Sequence, residues 1–169
     1  MTARLRRFML TAHVIFSVGW LGAVAGFVAL AVAGLMGSDS QTARGAYLAM
    51  ELITWYVIVP LDIASLLTGL VSSLGTEWGL FRYYWVVIKL AITVLSTIIL
   101  LLHMEPIGLL ADIARETTFA SAHVGHLQIQ QVAASSAAVL ALLVATVLSV
   151  YKPRGMTVYG WRKQHETRK

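Results

Sequence analysis

The stretch Tyr83–Met104 reads YYWVVIKLAITVLSTIILLLHM, with Lys89 its only formally charged side chain. At about 1.5 Å per residue such a run crosses a hydrocarbon core of about 30 Å as one helix. Working outward, three more stretches have the same character: Phe8–Met36, Leu48–Leu74 and Leu127–Tyr151. The first follows Arg4, Arg6 and Arg7 and has small residues near Ala33, as a signal peptide does. A signal peptide's apolar region is only about 7–15 residues long, so this much longer run reads as a retained helix. The sequence therefore predicts an all-α fold: a single domain over residues 1–169 forming a four-transmembrane-helix bundle, followed by a basic tail at 152–169.

Composition agrees. The chain is 58% hydrophobic and 12% charged, with mean hydropathy +0.75. Soluble domains carry about 25% charged residues, and no soluble fold of this size hides so much apolar surface. With no cysteine, disulfides, thiolate catalysis and cysteine metal sites are excluded. The net charge of +5 is spread beside the apolar runs, which argues for membrane orientation and against nucleic acid. Arg4, Arg6, Arg7, Arg82, Lys152, Arg154, Arg162, Lys163, Arg168 and Lys169 lie on one side, and only Arg44 and Arg115 on the other. The positive-inside rule places both termini in the cytoplasm, in a multi-pass protein of the cytoplasmic membrane.

The short loop at residues 75–80 predicts that the second and third spans are antiparallel neighbours. After Met104, Pro106 suits the first turn of a helix. Ile107, Leu110, Ile113 and Ala114 follow at helical spacing, predicting a short separate helix at the outer surface. The fourth span stops at Lys152-Pro153. The tail beyond, with Tyr159 and Trp161 among basic residues, either lies on the anionic inner leaflet or is disordered. Gly19, Gly22 and Gly26 include a Gly-x-x-x-Gly pair, which predicts close helix packing.

Polar residues inside a membrane are costly and face the bundle interior. The second span presents Glu51, Thr54, Asp62, Ser65, Gly69 and Ser72 at spacings of mostly three and four; the third presents Arg82, Lys89, Thr93, Ser96 and His103. Asp62 and Lys89 are expected to meet, either as a buried ion pair that holds register or as part of a proton or ligand pathway. Pro60 removes a backbone donor just before Asp62 and predicts a bend. A second cluster gathers at the outer end: Glu51, His103, His123 and His126. Imidazole with carboxylate suits copper or another metal, and imidazole alone suits haem iron. A solvated loop explains the same histidines.

The segment His13-Val-Ile-Phe-Ser-Val-Gly-Trp20-Leu-Gly22 resembles the first helix of copper-resistance D-type membrane proteins and of HemJ-type protoporphyrinogen oxidases. Over nearly its whole length the chain is similar to a group of four-helix bacterial membrane proteins known as a domain of unknown function. That likeness rests on residues 76–85, residues 102–106, residues 151–155 and Tyr159-Gly160. The oxidase resemblance implies haem b with His13 as a ligand. His13 and His103 fall at opposite membrane surfaces, so an outer haem would instead use His103 with His123 or His126. Three readings follow. The first is haem binding for electron transfer or porphyrin chemistry. The second is copper handling by the outer cluster. The third is an accessory subunit that binds another membrane protein or forms a homo-oligomer. Phosphate-loop, dinucleotide and zinc-protease motifs are absent from the sequence.

Overall fold

The structure, a computed structural model, describes residues 2–37, 39–75, 79–116, 125–153 and 155–166, with residues 165 and 166 described by backbone only. Among them six α-helices and one π-helical turn occur: α1 (Ala3–Met36), α2 (Ser40–Ile53), the turn Thr54–Ile58, α3 (Val59–Leu74), α4 (Tyr84–Arg115), α5 (Gly125–Tyr151) and α6 (Val158–Glu166). Four helical runs are long and apolar enough to cross a membrane, with α2, the π-turn and α3 forming one of them. They run antiparallel in sequence, so both termini lie at one end of the bundle; the opposite end is called the far end.

Local chemistry sets the helix boundaries. Thr2 caps α1 by accepting from the Leu5 amide. Asp39 caps α2, taking the amides of Gln41 at 2.8 Å and Thr42 at 3.1 Å. That cap starts α2 eight residues ahead of the predicted Leu48, a signal that the apolar count passed over. The π-turn ends just before Pro60. Proline has no amide for the carbonyl four residues back, and one extra residue per turn accommodates its ring. α5 ends where Lys152 turns left-handed, at φ 43°, before Pro153.

The expected separate helix after Met104 is not formed. Residues 105–115 continue α4 through Pro106 into one helix of 32 residues. The stripe expected at the membrane surface packs into the bundle instead: Ile107, Leu110 and Ala114 are at most 4% exposed, and Ile113 is half-buried against the same core. A helix of that length spans about 48 Å, well beyond a hydrocarbon core of about 30 Å. The excess builds a packed far end, where Ala31, Ala43, Tyr47, Met50, Leu110 and Ala114 are each at most 3% exposed. By contrast, only 6% of the most apolar stretch of α4 is buried in the chain, as a surface solvated by lipid requires.

α1 is the central helix, packing on α3, α5 and α2. α4 packs on α5 and, toward the far end, on α2, while α3 and α4 touch comparatively little. The second and third spans are thus neighbours, as their short loop implies, and meet mainly through α2. The glycine face of α1 divides likewise. Gly19 sits against Leu61, but Gly22 is exposed, with nothing within 4 Å of where a Cβ would stand. The close contact is at Gly34, where a Cβ would lie 2.5 Å from the Tyr47 ring.

Candidate functional site

Three polar stripes converge between α1, α3 and α4. His13 and Ser17 are one turn apart on α1. Asp62, Ser65, Thr68 and Gly69 follow at helical spacing on α3. Lys89, Thr93 and Thr97 repeat every fourth residue on α4. The sequence pointed to most of these positions. It missed Ser17, Thr68 and Thr97, each of which lies three or four residues from a residue it did name.

His13 is the hub. Its Nδ1 lies 3.0 Å from the Ser65 carbonyl oxygen and 3.3 Å from Thr68 Oγ1. A carbonyl only accepts, so Nδ1 carries the proton. In the neutral ring Nε2 then offers a lone pair, and Lys89 Nζ stands 3.0 Å from it. Thr68 is held in turn by its bond to the Ala64 carbonyl at 2.6 Å. The ring lies in a notch left by Gly69, where a Cβ would come within 2.9 Å of His13 Cε1.

Deeper in the bundle, Ser17 Oγ and Ser65 Oγ are 2.8 Å apart. One turn beyond Ser65, Asp62 is 1% exposed and accepts from Thr97 Oγ1 at 2.8 Å. Thr97 also reaches the Thr93 carbonyl at 3.0 Å, and Thr93 Oγ1 donates to the Lys89 carbonyl at 2.9 Å. The expected Asp62–Lys89 ion pair is therefore replaced. Lys89 is eight residues nearer the termini than Thr97, about 12 Å along α4. Each charge takes the partner at its own depth. One turn past Asp62 stands Ile58, with Phe27 and Val24 also buried, and the next buried polar group on this span is Thr54, whose hydroxyl donates to the Met50 carbonyl at 2.7 Å.

The far end is organised by charge rather than by histidine. Glu51 pairs with Arg115, which also donates to Asp112 at 2.6 Å. Arg44 donates to the carbonyls of Ala114, Arg115 and Glu116, the last two at 2.8 Å, and so caps the C-terminus of α4. His103 Nδ1 bonds the Ile99 carbonyl at 2.9 Å, one turn back on its own helix. His126 is exposed in the first turn of α5, and His123 lies outside the described residues. Among the described residues no three of His, Asp and Glu gather closely enough to hold a metal ion.

An axial haem ligand must present an imidazole lone pair to the iron. His13 does not fit that role as it stands, because its Nε2 faces Lys89 and its Nδ1 faces Ser65. Lys89 and His103 are 14 residues apart on α4, about 21 Å, so His13 and His103 serve opposite ends of the bundle. No protein-family model, no curated protein and no solved structure matches this chain.

Proposed function

We propose that this chain is a multi-pass protein of the bacterial cytoplasmic membrane, with both termini cytoplasmic, whose polar seam exchanges protons between the inner surface and Asp62 near mid-membrane. The asymmetry of Lys and Arg along the sequence supports the orientation. One observation carries the chemistry: two basic nitrogens, Lys89 Nζ and His13 Nε2, stand 3.0 Å apart in a half-buried part of the bundle. A single proton on that pair is held as Lys89 ammonium with neutral His13, or as neutral Lys89 with His13 imidazolium. Passing between the two states moves one proton across one hydrogen bond and leaves the total charge unchanged. The Ser17–Ser65 hydroxyl pair stands between this pair and Asp62. The apolar turn at Ile58 separates Asp62 from the next buried hydroxyl, Thr54, and makes Asp62 the end of the path. A path that ends at a carboxyl suits a small subunit working with another membrane protein, to which it hands the proton.

The test is labelling with an apolar carbodiimide, which attacks proton-exchanging carboxyls from within the bilayer, read by mass spectrometry. Asp62 is expected to be labelled at a rate that depends on pH, and the pH profile is expected to move in Lys89→Met and His13→Phe. Labelling at Asp62 that ignores both substitutions would show a carboxyl with a packing role only.

A second reading is favoured by one observation at the far end. His103 Nδ1 is committed to a backbone carbonyl, an arrangement that leaves Nε2 free to ligate iron. Haem b bound there would give a Soret band in the purified protein that His103→Ala abolishes and His13→Ala leaves in place. A featureless spectrum from folded protein made with ample haem would eliminate it.

A further inference from the structure

The segment after α5 is tied to the loop that opens α4. Tyr83 and Met156 form an isolated antiparallel bridge. Tyr84 donates its amide to the Gly155 carbonyl at 3.1 Å, and Thr157 donates its own to the Arg82 carbonyl at 2.9 Å. The Thr157 hydroxyl reaches the Phe81 carbonyl at 2.5 Å and also accepts from the Gly160 amide at 3.0 Å, capping α6. Gly160 is buried directly against the Arg82 carbonyl, leaving no room for a Cβ. α6 is therefore fixed at the level where α4 begins.

That level is the end of the apolar run of α4, beside Arg82, where a spanning helix would leave the hydrocarbon core. There α6 presents Val158, Tyr159 and Trp161, 64%, 54% and 61% exposed. Arg162 and Lys163 are exposed among them, and Arg4, Arg6 and Arg7 are exposed at the start of α1, at the same end of the bundle. We infer that α6 is a docked membrane-surface element that binds anionic phospholipid headgroups of the adjoining leaflet. Trp161, Tyr159 and Val158 enter the headgroup region, and Arg162 and Lys163 meet the phosphates. Two features choose lipid as the occupant: the docking holds these residues at the bilayer boundary, and the patch is basic around an aromatic centre.

The absence of cysteine makes the test direct. Val158→Cys carrying an environment-sensitive fluorophore is placed in nanodiscs of phosphatidylcholine, with or without phosphatidylglycerol. Quenching by a headgroup-level spin-labelled lipid is expected, stronger with phosphatidylglycerol. Native mass spectrometry of the full chain is expected to show retained phosphatidylglycerol. In Arg162→Gln/Lys163→Gln retention should fall roughly 25-fold, at about fivefold per basic residue near an anionic surface. An unquenched label, or retention unchanged in the double variant, overturns the inference. A label that is shielded only when a second copy is present would assign the surface to self-association and overturn it equally.

Discussion

Gly69→Ala tests the polar seam at its tightest point. A Cβ there would stand 2.9 Å from His13 Cε1, 3.3 Å from Nδ1 and 3.6 Å from Nε2, where ordinary contact begins at 3.4 Å. The imidazole must give way by about half an ångström. It is held on both sides, by Ser65 and by Lys89, each at 3.0 Å. Movement off Gly69 stretches at least one of these bonds past useful length, because the hydrogen-bond geometry weakens steeply with distance and angle. Overpacking of this kind costs about 1–3 kcal/mol, and a weakened bond to a charged group adds to it within a similar range of about 1.5–3 kcal/mol. The natural control is Gly22→Ala on α1, where nothing lies within 4 Å of the new methyl and helix propensity favours alanine. The assay is unfolding in detergent, with nitrogen-15 NMR of His13 reporting its tautomer. Gly69→Ala should lower stability and change the His13 signals, while Gly22→Ala should do neither. If Gly69→Ala leaves both unchanged, the His13 ring is not seated against α3 and the seam as described is wrong.

Three further outcomes are expected. Gly160→Ala should release α6, since the new Cβ meets the Arg82 carbonyl, and proteolysis of the tail should speed up; Gly155→Ala, 3.6 Å from the Tyr84 ring, should not do this. Arg44→Gln should uncap α4, costing about 1–3 kcal/mol through its lost carbonyl bonds, with faster amide exchange of the last turn of α4 as the readout. The Asp39 carboxyl is held below its ordinary value, first by the Thr42 hydroxyl and then by the amides of Gln41 and Thr42. A folded-state pKa below the unfolded one means the cap stabilises at neutral pH, and this support is lost as pH falls through the lowered value. Asp39→Asn should therefore remove that part of the acid-induced loss of helicity, measured by circular dichroism.

Where the sequence-based reading succeeded, it did so for reasons of solvent. Apolar length alone marks a helix that lipid can surround, and each of the four runs exists. Polar stripes at spacings of three and four mark the faces that turn from lipid, and His13, Asp62, Ser65, Lys89 and Thr93 do meet across three helices. Charge pairing was the wrong rule for choosing partners among them. Coulomb attraction suggested Asp62 with Lys89, but helix geometry put His13 at the depth of Lys89 and Thr97 at that of Asp62.

The far end was misread because hydropathy scores a residue's solvent and not its neighbours. Ile107, Leu110 and Ala114 look the same whether a helix lies on a bilayer or runs on into a packed bundle, and Pro106 looks like a beginning in either case. Packing against Tyr47 and Met50 chose the second. The sequence offered Glu51 as a metal ligand and could not show that Arg115 is brought to it across the 64 residues that separate them. The tail is the same kind of case. Its composition left open whether it lay on the leaflet or was disordered, and the contact of Gly160 with the Arg82 backbone decided that it is docked. What the sequence by itself determined is the solvent of each segment and the face each helix turns inward, because these follow from local composition and period. What only the tertiary structure decided is which polar groups share a depth and which backbones touch, because both depend on residues far apart in the chain.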